Sequence, residues 1–339
     1  MFWKRSNVVL VGGLVLLAGL TAAAHAPDKD LDSLRARYVR PATIPFPADN
    51  VYTAAKAELG RQLFFDPIFS ASGRLSCASC HQPDLAWGDG LPRAMGDKRL
   101  PMSFRSPTLL NIAWLPRLGW SGRFRSIESV GFVAIAGSAN MNLPAEIALE
   151  RLRDEPGYVE GFARAFGEPG IDQEKTEAAL ATYERTIVSG QSPFDRWVSG
   201  DDHAIGDDAK KGFALFNAKA GCSGCHQGWA FTDGSFHDIG TATGSDVGRG
   251  ALFPTSTKLR YAFKTPTLRD VAKRAPYMHD GSVASLEAVI DLYDQGGIDR
   301  PSRSELIHPL GLTDGEKKDL VVFLRTLTSD SPMELPAAR

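Results

Sequence analysis

Two short motifs contain all four cysteines of the chain: CASCH at residues 77–81 and CSGCH at residues 222–226. Two thiols three positions apart can each form a thioether to one vinyl group of a haem, and the adjacent histidine can bind the iron. A zinc site is the alternative chemistry for paired cysteines. Two copies of CxxCH without any further cysteine favour two covalently bound haem c groups. The predicted attachment residues are Cys77, Cys80, Cys222 and Cys225, and the predicted proximal iron ligands are His81 and His226.

Similar segments precede the two motifs. AELGRQLFFD leads into the first and AKKGFALFN into the second. Each has the pattern of a helix that runs into a haem loop, which is how a cytochrome c domain begins. We therefore expect a mainly α protein with two cytochrome c-like domains, each wrapped around one haem. Further helices are predicted over residues 144–166 and 174–188, beside or between the domains.

An internal repeat supports this division. Residues 106–130 match residues 265–289 without a gap, at a constant shift of 159 positions. SPTL aligns with TPTL, and identical Gly, Ser, Glu and Val residues follow at matching positions. A repeat of this kind indicates two copies of one structural unit. We predict an N-terminal domain at residues 27–200 with a helical insertion, and a C-terminal domain at residues 201–339.

The repeat predicts different distal sides for the two haems. In a cytochrome c domain, a residue after the haem motif closes the side of the iron opposite the histidine. Tyr293 lies four positions beyond the end of the second repeat and can do this, although a lone tyrosine is ordinarily a core residue. Its counterpart is Ala134, which cannot bind iron. We therefore expect a second haem capped by His226 and Tyr293, and a first haem held by His81 with an open position for a small oxidant.

The repeat also pairs Trp120, in GWSG, with His279, in MHDG. Tryptophan has an accessible one-electron oxidation, so an indole between two haems would let them share an oxidising equivalent. The alternative is a tryptophan packed in the core.

The composition and the N-terminal segment indicate the class of protein and its cellular location. The 339 residues carry a net charge of −2, with 43% hydrophobic residues, which gives no indication of nucleic-acid binding. Lys4 and Arg5 precede an apolar run at residues 8–20, and AHA follows at residues 24–26. This order predicts a signal peptide at residues 1–26, with a retained membrane anchor as the alternative. The mature protein is expected in the periplasm, without membrane contact.

These residues resemble the bacterial di-haem cytochrome c peroxidase superfamily, and within it the MauG-like branch. The resemblance covers nearly all of the mature chain and includes LFFDPIFSASGRLSCASCH, SPTLLN, TPTLRD, APYMHDGS and LGLTDGEKKDLVVFLRTLT. Common peroxidases have a methionine at the distal position of the second haem, whereas MauG-like proteins have a tyrosine, which Tyr293 matches. They also have a tryptophan between the haems, which Trp120 matches.

The resemblance implies a reaction. Hydrogen peroxide would bind at the first haem, and an oxidising equivalent would pass through Trp120 to the second haem. The equivalents would then be drawn from an electron-donor protein, either a small cytochrome or a cupredoxin, or from a residue of a protein substrate. Two alternatives from other classes remain: a non-catalytic di-haem electron-transfer protein, and a haem-based sensor of a small ligand.

The chain departs from the family pattern around the first haem. No histidine lies between His81 and His203, which leaves that haem open, although Met102 could serve as a displaceable ligand. Asn140 occupies the position of the distal glutamate. An asparagine can donate a hydrogen bond but cannot shuttle a proton. Val130 and Ala134 stand where the MauG-like branch has glutamine and proline.

A second departure concerns calcium. Family members bind a calcium ion between the haems, partly through an asparagine that is Arg105 here. Carbonyl groups near Arg274 and Pro276 could still contribute to such a site. The cationic side chain argues against it.

Overall fold

The computed structural model describes residues 1–2 and 29–330, so residues 3–26 of the predicted signal peptide lie outside the described residues. The described helices are α1 (Lys29–Ala36), α2 (Ala54–Phe65), α3 (Cys77–Cys80), α4 (Gly131–Ala136), α5 (Ala145–Asp154), α6 (Pro156–Phe166), α7 (Gln173–Arg185), α8 (Pro193–Val198), α9 (Asp207–Asn217), α10 (Leu286–Gln295) and α11 (Asp314–Arg325). Within the described part, strand structure is limited to one antiparallel pair, β1 (Phe236–His237) and β2 (Phe263–Lys264). None of the described helices has the length and apolar character needed to cross a membrane.

Two hydrophobic cores organise the molecule. The first is built mainly from α2, α4, α5, α6 and α7, and the second mainly from α9, α10 and α11. The predicted helix before each haem motif packs on a later helix, α2 on α7 and α9 on α11. Each contact is made at a glycine, because a Cβ at Gly60 would overlap the carbonyl of Ala179, and one at Gly212 would overlap the carbonyl of Asp319.

The helical insertion differs from its prediction. The single helix expected over residues 144–166 is two helices, α5 and α6, that break at Glu155. Pro156 explains the break, because it lacks an N–H donor and forces the preceding residue into an extended conformation. The helix expected at residues 174–188 is α7, which begins at an Asp172 cap and ends at Arg185.

The internal repeat is also a repeat of conformation. A bridge pairs Leu118 with Phe124 in the first copy, and the equivalent bridge pairs Tyr277 with Val283 in the second. Each copy then leads into a helix, α4 in the first and α10 in the second. The matched sequences therefore fold alike as far as these bridges, but α10 begins at Leu286, inside its copy, whereas α4 begins at Gly131, directly after its copy.

No single point in the sequence separates the residues of the first core from those of the second. Tyr38, Phe194 and Trp197 all pack in the second core, although they precede the predicted boundary near Gly200. The boundary at residues 200–201 stays a prediction. What the packing does show is that the N-terminal segment around α1 lies against the C-terminal core.

Candidate di-haem site

The two CxxCH motifs open short turns of helix. Cys77 and Cys80 begin and end α3, whose N-cap residue is Ser76. Cys222 begins a single 3₁₀ turn that ends at Gly224. All four cysteines are free thiols, and burial raises the pKa of the Cys222 thiol to about 12. Neither pair is closed as a disulfide, so both pairs can form thioether bonds to a haem.

The histidine after each motif is oriented by a main-chain carbonyl. His81 Nδ1 donates to the carbonyl oxygen of Trp87 at 3.2 Å, and His226 Nδ1 donates to that of Phe231 at 2.9 Å. Trp87 and Phe231 both have positive φ, 61° and 52°, which turns these carbonyls towards the rings. Such a bond fixes the tautomer and leaves Nε2 free to bind a metal. Burial lowers the pKa of both imidazoles, which keeps Nε2 unprotonated.

The geometry does not favour the zinc alternative. Among the residues that the structure describes, one group could gather around a metal ion: Cys225, Asp233 and His237. It contains a single cysteine, and its His237 Nε2 lies 2.8 Å from Asp233 Oδ2. This is neither a set of four cysteines nor a cysteine pair with two histidines.

Tyr293 lies in the same cavity as the second haem motif. The cavity is lined by Cys222, Cys225, His226 and Tyr293, and its remaining walls near α10 and α11 are mainly aliphatic. Burial raises the pKa of the Tyr293 phenol, and its hydroxyl has no hydrogen-bond partner among the described residues. Two thiols, a free imidazole nitrogen and an unpartnered phenol in one apolar cavity are the groups that a covalent haem with axial His and Tyr ligands requires. The residues present therefore fit the haem.

Helix α10 positions this tyrosine. The helix begins where the Ser285 hydroxyl accepts from the N–H of Ala288 at 3.2 Å, and it ends at Gly296, whose φ is 80°. Leu286 and Ile290 are buried on one face of the helix. Tyr293 continues that face by one turn, since residues three and four positions apart share a side of a helix.

The equivalent position in the first repeat is Ala134, on α4. Its methyl group cannot reach an iron. Asn140 follows the end of α4, where its main-chain N–H donates to the Gly137 carbonyl at 2.9 Å. The Asn140 side chain is half-buried and has no hydrogen bond within the described residues. Met102 is bonded through its main-chain N–H to the Ala94 carbonyl at 2.8 Å.

Trp120 connects the two halves of the molecule. Its indole Nε1 donates to the carbonyl of Arg105 at 3.0 Å, and its own carbonyl accepts from the N–H of Lys264 at 2.8 Å. The indole also lines the cavity that contains His226 and Tyr293. Its repeat partner His279 is a direct neighbour, with ring centroids 6.4 Å apart at an interplanar angle of 70°. The two matched positions thus meet at the junction of the repeats.

The sequence prediction missed a half-buried acid near the first haem motif. Glu184 lies on α7, and burial raises the pKa of its carboxyl to about 8. Its charge in turn contributes to the raised pKa of the Cys77 thiol, which places the two side chains close together. A signal was present in TYERTIV, where the glutamate interrupts a run of residues that are mostly buried.

The residues at the expected calcium position do not fit a calcium ion. The guanidinium of Arg105 donates from Nη2 to the carbonyl oxygen of Arg274 at 2.8 Å. A cationic group therefore already contacts the carbonyl oxygen that a calcium ion would need as a ligand. Calcium requires several oxygen ligands, commonly with carboxylates among them. No step of the chemistry below is assigned to calcium.

Comparison with known proteins identifies the family. Residues 54–203 match the family described as "Di-haem cytochrome c peroxidase", and residues 209–328 match "Cytochrome c". The chain is 50% identical to "Methylamine utilization protein MauG" of Methylorubrum extorquens, over 91% of this chain and 88% of that one. It is 41% identical to the protein of the same name from Methylophilus methylotrophus, over 95% of each. A crystal structure of a MauG-like protein associated with microbial copper homeostasis superposes with a TM-score of 0.80 at 28% identity, covering 87% of this chain and 95% of that one.

Proposed function

This chain belongs to the di-haem cytochrome c peroxidase family, and from that premise we propose that it is a periplasmic oxidoreductase that uses hydrogen peroxide. It has two cytochrome c-like domains, and the family carries peroxidase-type chemistry on two haems. The observation that carries the finer proposal is the contrast between Tyr293, in the cavity beside His226, and Ala134 at the matching position of the first repeat.

In the first domain, we assign haem attachment to Cys77 and Cys80 and iron binding to His81 Nε2. When bound, the haem supplies the redox chemistry of peroxide cleavage. Ala134 leaves the distal side free for peroxide. Asn140 can hold peroxide through its amide N–H but cannot take up and return its proton. Acid–base help from this position would therefore be absent.

In the second domain, Cys222 and Cys225 would hold the haem covalently, and His226 and Tyr293 would supply the nitrogen and oxygen ligands to its iron. Tyr293 must lose its proton to do so, since it binds as a phenolate. Its aliphatic surroundings exclude water and competing ligands. A phenolate oxygen favours oxidised iron, whereas the thioether of a methionine favours reduced iron. Tyr293 thus suits a site that stores an oxidising equivalent.

Trp120 is the relay in this proposal. Its indole lies in the cavity of the second haem, and Arg105, which accepts its hydrogen bond, belongs to the loop that leads into the first repeat. A bonded, half-buried indole keeps one orientation, which favours repeated one-electron transfer. The proposed partners are hydrogen peroxide and either a small donor protein or a protein substrate.

The resemblance to the MauG-like branch favours a protein substrate, because it implies oxidation of a residue of a partner protein. Both relatives named above carry the name methylamine utilization protein. We propose that this chain oxidises a residue of a partner protein. A small cytochrome or cupredoxin as donor is the peroxidase alternative.

A peroxide titration of the di-haem protein tests the function. Followed optically and by electron paramagnetic resonance, it should show oxidation of both haems and turnover with a donor. Asn140→Glu should accelerate the peroxide step, because general acid–base help is typically worth about 10²–10⁴-fold. Asn140→Gln is the matched control, since it keeps an amide and should not accelerate it. Absence of any oxidised species or turnover would instead indicate an electron-transfer protein, and tight CO binding without oxidation chemistry would indicate a sensor.

A further inference from the structure

Three basic side chains meet at the junction of the two repeats. Arg105 and Lys264 are only 7% and 8% exposed, and Arg274 is half-buried. All three line the cavity that also contains Trp120 and Tyr293. The three cations, Arg105, Lys264 and Arg274, are called the junction cluster below.

The junction cluster has no ion-pair partner among the described residues. Arg105 donates to the Arg274 carbonyl, and Arg274 Nη2 donates to the Thr267 carbonyl at 2.7 Å, while Arg274 Nε has no partner. The Lys264 ammonium forms no ion pair within 4.0 Å in the described part of the chain. Buried charges without partners are strongly unfavourable. An anion in this cavity would therefore stabilise the junction cluster.

The carboxylates that act electrostatically on Arg105 and Arg274 are Asp89 and Asp270, and both are already engaged. Asp89 Oδ2 accepts from the Ser106 hydroxyl at 2.9 Å, and its Oδ1 accepts from the Leu91 N–H at 3.0 Å. Asp270 accepts from the hydroxyl of Ser329 at 2.8 Å and from its N–H at 2.9 Å. These acids lower the local positive potential without forming an ion pair with a member of the junction cluster.

The positive charges of the junction cluster also repel one another. Burial lowers the pKa of Lys264 to about 8, with a further contribution from Arg274. Burial lowers the pKa of Arg274 to about 10, with a further contribution from Arg105. A divalent cation placed beside the Arg274 carbonyl would add to this repulsion. Carboxylates would relieve it, and a haem bound in this cavity brings two propionate groups.

We propose that the Arg105 guanidinium permanently replaces the calcium ion that the family resemblance implies, and that the junction cluster binds the haem propionates. The guanidinium supplies positive charge and N–H donors where calcium would supply charge and a coordination site. The Arg274 carbonyl is the shared acceptor. This proposal rests on haem binding but not on the peroxide chemistry.

The first test uses the wild-type di-haem protein. After dialysis against EGTA, metal analysis should find substoichiometric calcium. The optical spectra, midpoint potentials and melting temperature should not change with chelator or with added calcium. A stoichiometric calcium ion whose removal changes the haem spectra would overturn the proposal, and this measurement needs no variant.

The second test changes the charge. Arg105→Gln should lower the haem midpoint potentials, because oxidised iron loses a positive neighbour that disfavours it, whereas Arg105→Lys should retain most of the potential. Lys273→Gln is the matched control: it removes a cation from the following loop, but that side chain is 44% exposed and water screens it. Potentials unchanged in Arg105→Gln would contradict the proposal. Neither test uses peroxide, so a failure of this proposal can be distinguished from a failure of the proposed enzymatic function.

Discussion

At the scale of single residues, the two predicted proximal histidines make the same kind of hydrogen bond, whereas the two predicted distal positions carry different side chains. Both imidazoles donate from Nδ1 to a main-chain carbonyl, which orients Nε2 in the same way in both domains. At the matching positions of the two repeats the chain has a phenol, Tyr293, in one domain and a methyl group, Ala134, in the other. A difference of one side chain can therefore give one haem a storage role and the other a reactive one.

The first prediction concerns Tyr293. Tyr293→Phe removes the phenolate oxygen, so the optical spectrum of the second haem should change and its midpoint potential should rise. Spectroelectrochemistry measures both. Tyr277→Phe is the matched control, because Tyr277 lines the same cavity but its hydroxyl bonds the Val271 carbonyl at 3.2 Å. If Tyr293→Phe leaves the spectrum of the second haem unchanged, Tyr293 is a core residue only.

A second prediction concerns Glu184. Burial raises the pKa of its carboxyl to about 8, so the folded protein holds this proton at a pH where the unfolded chain has lost it. The stabilising effect of that proton is complete below the unfolded pKa, about 4.3, and is lost as the pH rises through about 8. Glu184→Gln carries no titrating proton, so its melting temperature should fall less than that of wild type between roughly pH 5 and pH 8.5, the range set by these pKa values.

The matched control for Glu184 lies on the same helix. Glu174→Gln changes an exposed acid in the first turn of α7 and should keep the wild-type pH dependence. Parallel melting curves for Glu184→Gln and wild type across the pH range would show that Glu184 is ionised in the folded protein.

At the scale of elements, the haem motifs depend on two helix crossings made at glycines. Gly60 lets α2 approach α7, and Gly212 lets α9 approach α11. The helix that leads into each haem loop is thereby fixed against a long helix of the same core. Helix α11 begins at a capping box, in which Thr313 and Glu316 each bond the main chain of the other.

A third prediction follows for this crossing. Gly212→Ala places a methyl group against the Asp319 carbonyl, so the helices must separate and unfolding should become easier by about 1–3 kcal/mol. Chemical denaturation measures the change. Gly157→Ala in α6 is the control, since no atom lies within 4 Å of the added Cβ, and it should be neutral or slightly stabilising. Equal stability of the Gly212→Ala variant and wild type would mean that the crossing relaxes without strain.

At the scale of the whole molecule, the repeats meet through a small polar junction between the two cores. Arg105 and Trp120 come from the first repeat region, and Lys264 and His279 from the second. His279 is buried, stacks on Phe263 with centroids 3.7 Å apart, and lies 2.7 Å from Asp246. The proposed electron path and the proposed haem carboxylate site therefore share one location.

The fourth prediction tests communication through this junction. Trp120→Phe keeps an aromatic ring but removes the easily oxidised indole and its bond to Arg105. After rapid mixing with peroxide, oxidation of the second haem should lag behind that of the first, as measured by stopped-flow spectroscopy. Trp114→Phe is the control, because Trp114 packs against Trp229 at 4.8 Å and does not line the cavity. Equal rates in Trp120→Phe and wild type would exclude Trp120 as the relay.

The sequence by itself determined the family, the two haem motifs and the duplicated unit. These features are local, since thioether formation needs two cysteines at fixed spacing with a neighbouring histidine, and a gapless repeat is visible without coordinates. The mainly helical fold with two cytochrome c-like domains is confirmed. Local chemistry also explains the start of α11 and both ends of α10, because a serine or threonine cap and a glycine stop act within one turn.

The tertiary structure alone decided what surrounds those motifs. Glu184 interrupts a mostly buried run in the sequence, but only the packing of α7 brings its carboxyl near Cys77. Arg105 and Arg274 are 169 positions apart, so their 2.8 Å contact depends on how the repeats meet. Burial and long-range pairing arise from the packing of the whole chain, whereas motif spacing is a property of the local sequence. The haem attachment could therefore be predicted from spacing, and the charge around the haems could not.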